Sequence, residues 1–212
     1  MFGYLQSLFP TDLASALEGA NVRSPVMLFE LATQQSHLIN VFGTALDPER
    51  TARIAAMDSG NRADFFFMPI YGLFVFFTLA AMGKELGGSI WAAAGALGLL
   101  AAGADAYENR LLLSMTADLL NSSDELAVLP WPVWIKFGLL AIACGASGVA
   151  LWKLKRPLLA LLCTPSVLLI IPGILAPLTM GSLATQMIGV GWLGMGIHVV
   201  SRWLRAGSRT VK

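Results

Sequence analysis

Residues 64–83 read DFFFMPIYGLFVFFTLAAMG, a run of 20 residues in which Asp64 is the sole charge. At 1.5 Å per residue such a run covers about 30 Å, the hydrocarbon thickness of a bilayer. Four more stretches of this kind follow, so spans are expected at about 64–83, 89–114, 130–152, 157–178 and 181–203. Composition points the same way: 56% of the 212 residues are hydrophobic and 13% charged, against roughly a quarter charged in soluble domains. A soluble enzyme, a disordered tail and a nucleic-acid module are excluded on these grounds. The expected fold is an all-α polytopic membrane helix bundle of five transmembrane helices, with six as the upper bound.

The formal charge is +1, from 14 Lys and Arg against 13 Asp and Glu, so information lies in where charges fall rather than in their sum. Short connections at Lys84–Gly88, at Lys153–Arg156 and near Thr179 make neighbouring spans antiparallel. We call the face where the first span begins side A and the opposite face side B. Side B then collects Lys84, Lys153, Lys155, Arg156, Arg202, Arg205, Arg209 and Lys212 against the single acid Glu85. Side A carries the polar loop Met115–Leu129 with Asp118, Asp124 and Glu125. Under the positive-inside rule side B, and the C-terminus with it, is cytoplasmic. Trp91, Trp152 and Trp203 fall at the B boundary and Trp131 and Trp134 at the A boundary, the depths at which amphipathic rings settle.

Three regions follow from this reading: residues 1–63, the bundle 64–204 and a basic cytoplasmic tail 205–212. The first contains an amphipathic stretch, Pro25–Leu46, with Leu28, Leu31, Leu38, Ile39 and Phe42 near helical spacing and Glu30, Gln34, Gln35, His37 and Asn40 between them. We expect it to lie as a helix across side A, the non-cytoplasmic face, in preference to forming a sixth span. Met1–Pro10 lacks the basic start and apolar core of a secretory signal. No repeat or low-complexity tract stands out. Pro165, Pro172 and Pro177 mark the fourth span for kinks. The small residues Ala94, Gly98, Ala102 and Ala106 of the second span, and the glycines of the fifth, read first as tight internal packing. The alternative for the fifth span is a seam for a second copy or a membrane-complex partner. Cys144 and Cys163 read as small core hydrophobes.

Depth counting brings charges together. Asp64 stands at the A boundary, and Tyr71, seven residues on, lies about 10 Å deeper on the same helical face. Asp105 falls about 24 Å along a second span that enters from side B, with Glu108 and Asn109 on the same face at i+3 and i+4. Lys136 falls about 9 Å into the third span. A charge in the bilayer costs at least about 2.5–3.5 kcal/mol, so partners are required. Lys136 is expected to pair with Asp105 or Glu108, with Asn109 and Tyr71 meeting the remaining hydrogen bonds. All six residues are expected to line one cavity, open to side A.

Against this stands a bland reading, in which a buried ion-pair network fixes helix register or Lys136 snorkels to the interface. His37 reads as a solvated or capping histidine in preference to an acid/base reaching the cavity, and His198 as hydrogen-bonded near side B. Asp64, Asp105 and Glu108 have the oxygen chemistry for a hard cation. There is no His or Cys pair for zinc, and we expect no metal and no cofactor.

The pattern Asp64-Phe-Phe-Phe-Met-Pro-Ile-Tyr71, then Asp105-Ala-Tyr-Glu108-Asn109, then Lys136 resembles one in small uncharacterised bacterial multispanning membrane proteins. The resemblance covers about residues 61–140 and implies that the three charged positions belong together; it transfers no activity. The function expected is binding, and in its catalytic form modification, of an amphiphilic or lipid-like ligand in a bacterial inner or plasma membrane, without nucleic acid. In the catalytic form Asp105, Glu108 and Lys136 move protons while Asp64, Tyr71 and Asn109 bind. The alternatives are a small transporter or proton-coupled channel, and a non-catalytic subunit of a larger membrane complex.

Overall fold

The structure, a computed structural model, describes residues 24–207. Residues 1–23, and 208–212 of the expected basic tail, lie outside the described residues. The elements are α1 (Pro25–Glu30), α2 (Gln35–Phe42), α3 (Arg50–Leu86), α4 (Ile90–Ala117), α5 (Ser123–Val128), α6 (Pro130–Lys153), α7 (Pro157–Cys163), α8 (Pro165–Leu175), a π-helical turn (Pro177–Gly181) and α9 (Ser182–Gly207). No strand occurs among the described residues. Five helical stretches are long and apolar enough to cross a membrane. Their surface is apolar, with Phe66 78%, Ile70 63% and Leu168 70% exposed, while Glu108 is 0% and Lys136 5% exposed. Apolar outside and charged inside is the arrangement a hydrocarbon solvent demands.

Helix α3 packs along α4, α4 along α6, and α6 against α7, α8 and α9, so the bundle is largely built in chain order. Glycine lets α3 and α4 approach: a Cβ on Gly95 would stand 2.9 Å from Phe76 O, and one on Gly98 would stand 2.7 Å from Val75 Cβ. Part of the small-residue row of α4 is thus spent inside the bundle. In α9, Gly191 and Gly194 pack against Cys144, Leu162 and Cys163, whereas Gly189 and Gly196 face open space. Both cysteines are free and buried, as their apolar neighbourhoods require.

Three boundaries differ from the hydropathy reading. Helix α3 begins at Arg50 instead of Asp64 and runs 37 residues, about 55 Å. Its first part is polar on one face, which hides it from an apolar window. Arg53, buried, holds it by pairing with Asp47 at 2.9 Å and Glu49 at 3.0 Å, and Thr116 of α4 donates to Asp58 at 2.6 Å. The division at residue 63 therefore falls inside a helix. The stretch Pro25–Leu46 is likewise two helices of 6 and 8 residues, each too short to cross a membrane, instead of one. His37 explains the break: its Nδ1 accepts the Thr33 N–H at 3.2 Å and its Nε2 meets Gln34 Nε2 at 2.9 Å, so the side chain takes a backbone donor that a continuous helix would use. His37 is thus a capping residue, and burial holds its pKa below the ordinary histidine value. The polar loop after α4, finally, contains α5.

Two of the three prolines interrupt the fourth span as expected, while Pro172 lies inside α8. Pro165 opens a new helix, and the hydroxyls of Thr164 and Ser166 donate to Ala160 O and Cys163 O at 3.0 and 3.1 Å beside the break. Ala176, preceding Pro177, leaves the helical region with φ −137° and ψ 66°. At the B end, Arg202 of α9 pairs with Glu85 of α3, Arg156 donates to Ser201 at 2.5 Å, and Lys153 lies over the Trp91 ring at 5.5 Å. Gly87 and Gly88, with φ of 72° and 116°, supply the left-handed turn between α3 and α4 there. At the A end, α1 and α2 pack on the bundle through Leu28, Phe29, Leu38, Val41 and Phe42, all essentially buried.

Candidate functional site

The centre of the site is the Lys136 ammonium, which reaches Glu108 at 2.7 Å, Asp105 at 3.1 Å and Glu30 at 3.8 Å. The expected pairing holds for both carboxylates of α4, and Lys136 turns inward instead of snorkelling. Tyr71 donates its hydroxyl to the second oxygen of Asp105 at 2.8 Å. Asn109 does a different task from the expected one: its amide donates to Asp64 at 3.2 Å and to the Asn61 carbonyl at 3.0 Å, tying α4 to α3. The i, i+3, i+4 spacing on α4 produces this division. Asp105 and Glu108 aim at α6, while Asn109, one step round the helix, aims at α3. Within α3, Pro69 leaves the Phe65 carbonyl without its helical donor beside Asp64.

A cavity of about 550 Å³ opens beside this network. Asp64, Tyr71, Asp105, Asn109 and Lys136 line it. Glu108 does not, which corrects the expectation that six residues share one wall. Fully buried on the far side of Lys136, it serves as that ammonium's counter-charge. The remaining wall is mostly apolar, including Met27 of α1, Met57 and Phe67 of α3, Phe137 and Leu140 of α6 and Trp192 of α9. Leu140 and Trp192 lie ten residues into their helices and Asp105 twelve residues from the A end of α4, about 15–18 Å from that end. The cavity is thus confined to the side-A half of the bundle. Its roof is α1, the short helix that Ser24 caps by accepting the Met27 N–H at 3.5 Å.

Sequence reasoning missed Glu30, Asn61, Phe67 and Trp192. Glu30 had a signal, being the only Asp, Glu, Lys or Arg between residues 24 and 46, within PVMLFELA. Burial pushes its carboxyl above the usual carboxylate range, against the opposing pull of Lys136. It also borders a second cavity of about 260 Å³ with Leu31, Thr33 and Trp134, so it stands between the two. Trp192 stacks on Tyr71 with centroids 5.3 Å apart, and Phe67 contacts both rings. Nothing in the spacing of these aromatics distinguishes them from lipid-facing ones.

His198 and His37 stay away from the cavity. Among the described residues, no three His, Cys, Asp or Glu side chains are grouped to hold a metal ion. The position between Asp105 and Glu108 is taken by Lys136 Nζ. Comparison with family models, with curated proteins and with solved structures finds no match for this chain, so the resemblance over residues 61–140, like every functional reading below, rests on the residues themselves.

Proposed function

We propose that the protein binds an amphiphilic or lipid-like molecule, its polar head among Asp64, Tyr71, Asp105, Asn109 and Lys136 and its apolar part against Met57, Phe67, Leu140 and Trp192. The observation that carries this is the division of one cavity wall into a charged and an apolar portion, within the bilayer depth of a helix bundle. Water alone would leave the apolar portion poorly solvated, and a bare hydrocarbon would leave the charged portion without partners. An amphiphile meets both. In the catalytic form of the proposal, Asp105, held between Tyr71 and Lys136, is the acid/base nearest the head. The setting proposed is a bacterial inner or plasma membrane with side A facing out.

Native mass spectrometry of the protein released from gentle detergent tests the reading. Wild type should carry a lipid-mass adduct. Leu140→Trp, which fills the apolar portion without touching the ion pairs, should lose most of it while keeping its melting temperature. An equal adduct on both proteins would overturn the assignment of the cavity as the binding site. For the catalytic form, Asp105→Asn should retain the adduct and lose conversion of whatever molecule wild type is found to convert.

A further inference from the structure

We infer that the head taken by the cavity is cationic: a protonated amine with a hydrogen-bond-accepting oxygen beside it. The inference rests on the amphiphile reading and adds the chemistry of the head. Its first ground is charge. Glu30, Asp64, Asp105 and Glu108 surround a single cation, Lys136, which donates to Asp105 at 3.1 Å and to Glu108 at 2.9 Å and has Glu30 at 3.8 Å. With three carboxylates within 4 Å of its one ammonium, the centre of the cluster holds more negative than positive charge, which disfavours an anionic head. Asp64 lies on the wall with only the Asn109 amide on its carboxylate, and among the described residues no Lys, Arg or His stands within 4 Å of it. Arg62, two residues earlier, is 73% exposed and directed at Asp58. An incoming ammonium therefore finds a carboxylate without a cation, at a depth where a charge pair is poorly screened.

The second ground is independent of charge. Asn61 is 6% exposed and lines the cavity, yet its Nδ2 has no acceptor. The Nε1 of Trp192, whose ring stacks on Tyr71, is also buried without one. Buried N–H groups are rarely left so. Both are donors, and each calls for an oxygen acceptor, which a hydroxyl carried by the ligand would supply. Asn61 lies three residues before Asp64, one helical turn away on the same face. Amine and oxygen should therefore be close neighbours in the head, as in an amino alcohol. The aromatic rings of Phe67 and Tyr71 on the same wall favour a cation further.

The test compares three amphiphiles with one eighteen-carbon chain: sphinganine, the triol with hydroxyl in place of its amine, and stearate. Binding to the full-length protein in detergent is read by thermal shift and by native mass spectrometry. Sphinganine should bind at least about tenfold more tightly than the triol, and stearate more weakly than either. Asp64→Asn should bring sphinganine to the level of the triol, whereas Asn61→Ala should weaken both and leave their ratio standing. Asp64→Asn should at the same time keep the triol bound at its wild-type strength, so a loss of folding, which removes both ligands, cannot mimic the result. Equal binding of sphinganine and triol by wild type would overturn the cationic head and leave the amphiphile cavity in place. A wild-type protein that takes up none of the three, and carries no lipid adduct, would overturn both.

Discussion

Lys136 shows how much of the site depends on one side chain. It is 5% exposed and has three carboxylates within 4 Å, so deleting its charge leaves Glu108, itself wholly buried, without compensation. Lys136→Met should therefore lower stability by roughly 3–5 kcal/mol, the range for breaking a buried pair. Adding Glu108→Gln should restore part of that loss, with a coupling of about 0.5–3 kcal/mol between the two positions. Strict additivity in detergent melting would contradict direct contact. Depth counting made Lys136, Asp105, Tyr71 and Asp64 legible, because each carries a polarity that a membrane helix has to account for. Glu108 was legible as a partner and misjudged as a wall residue, since i, i+3 spacing specifies a face of α4 but not which side of Lys136 that face meets. Glu30 was visible in composition yet could not be assigned to the cluster. The contact depends on how α1 folds back over α6, and no local pattern encodes that.

Among the elements, the pair α3 and α4 meets through glycines on backbone atoms, and these glycines differ in kind from the open ones of α9. A methyl at Gly95 would meet the Phe76 carbonyl and Cα at 2.9 and 3.0 Å, backbone atoms with no freedom to yield. At Gly189 a methyl meets nothing within 4 Å. Gly95→Ala should thus lower stability by about 1–3 kcal/mol through overpacking, while Gly189→Ala should be neutral or raise it by up to about 1 kcal/mol through helix propensity. Melting of both variants in one detergent checks the contrast, and equal effects would place α4 further from α3 than described. The type of the five spans was readable because an apolar run of membrane length has one backbone solution, whereas the six-residue helix α5 was read as loop. Element ends were less so. Hydropathy reports where the solvent changes, whereas α3 continues past that point on ion pairs at Arg53, and α1 stops short because His37 takes up a backbone donor.

For the whole molecule, the asymmetry between the two ends is the feature with the largest consequence. The B ends of α3, α6 and α9 and the α6–α7 turn carry Lys84, Lys153, Arg156, Arg202 and Arg205, and side-chain contacts between them join Arg202 to Glu85 and Arg156 to Ser201. The A end holds the α4–α6 connection with Asp118, Asp124 and Glu125, together with α1, α2 and the cavity that α1 borders. Translocating a basic loop against the membrane potential is unfavourable by about 2.3 kcal/mol per charge per 100 mV, and anionic lipids of the cytoplasmic leaflet add to that bias. The B end should then remain in the cytoplasm and the cavity should be loaded from the other side. A reporter active only in the cytoplasm, inserted between Lys155 and Arg156, should be active, and the same reporter inserted after Asn121 should be silent at equal expression. Replacing Lys153, Lys155 and Arg156 by Gln should shift part of the population to the opposite orientation, visible as new activity from the Asn121 insertion. The reverse pattern in the unsubstituted chain, silent at the α6–α7 turn and active at Asn121, would put the cavity in the cytoplasmic half of the bundle. Any amphiphile it takes would then come from the inner leaflet.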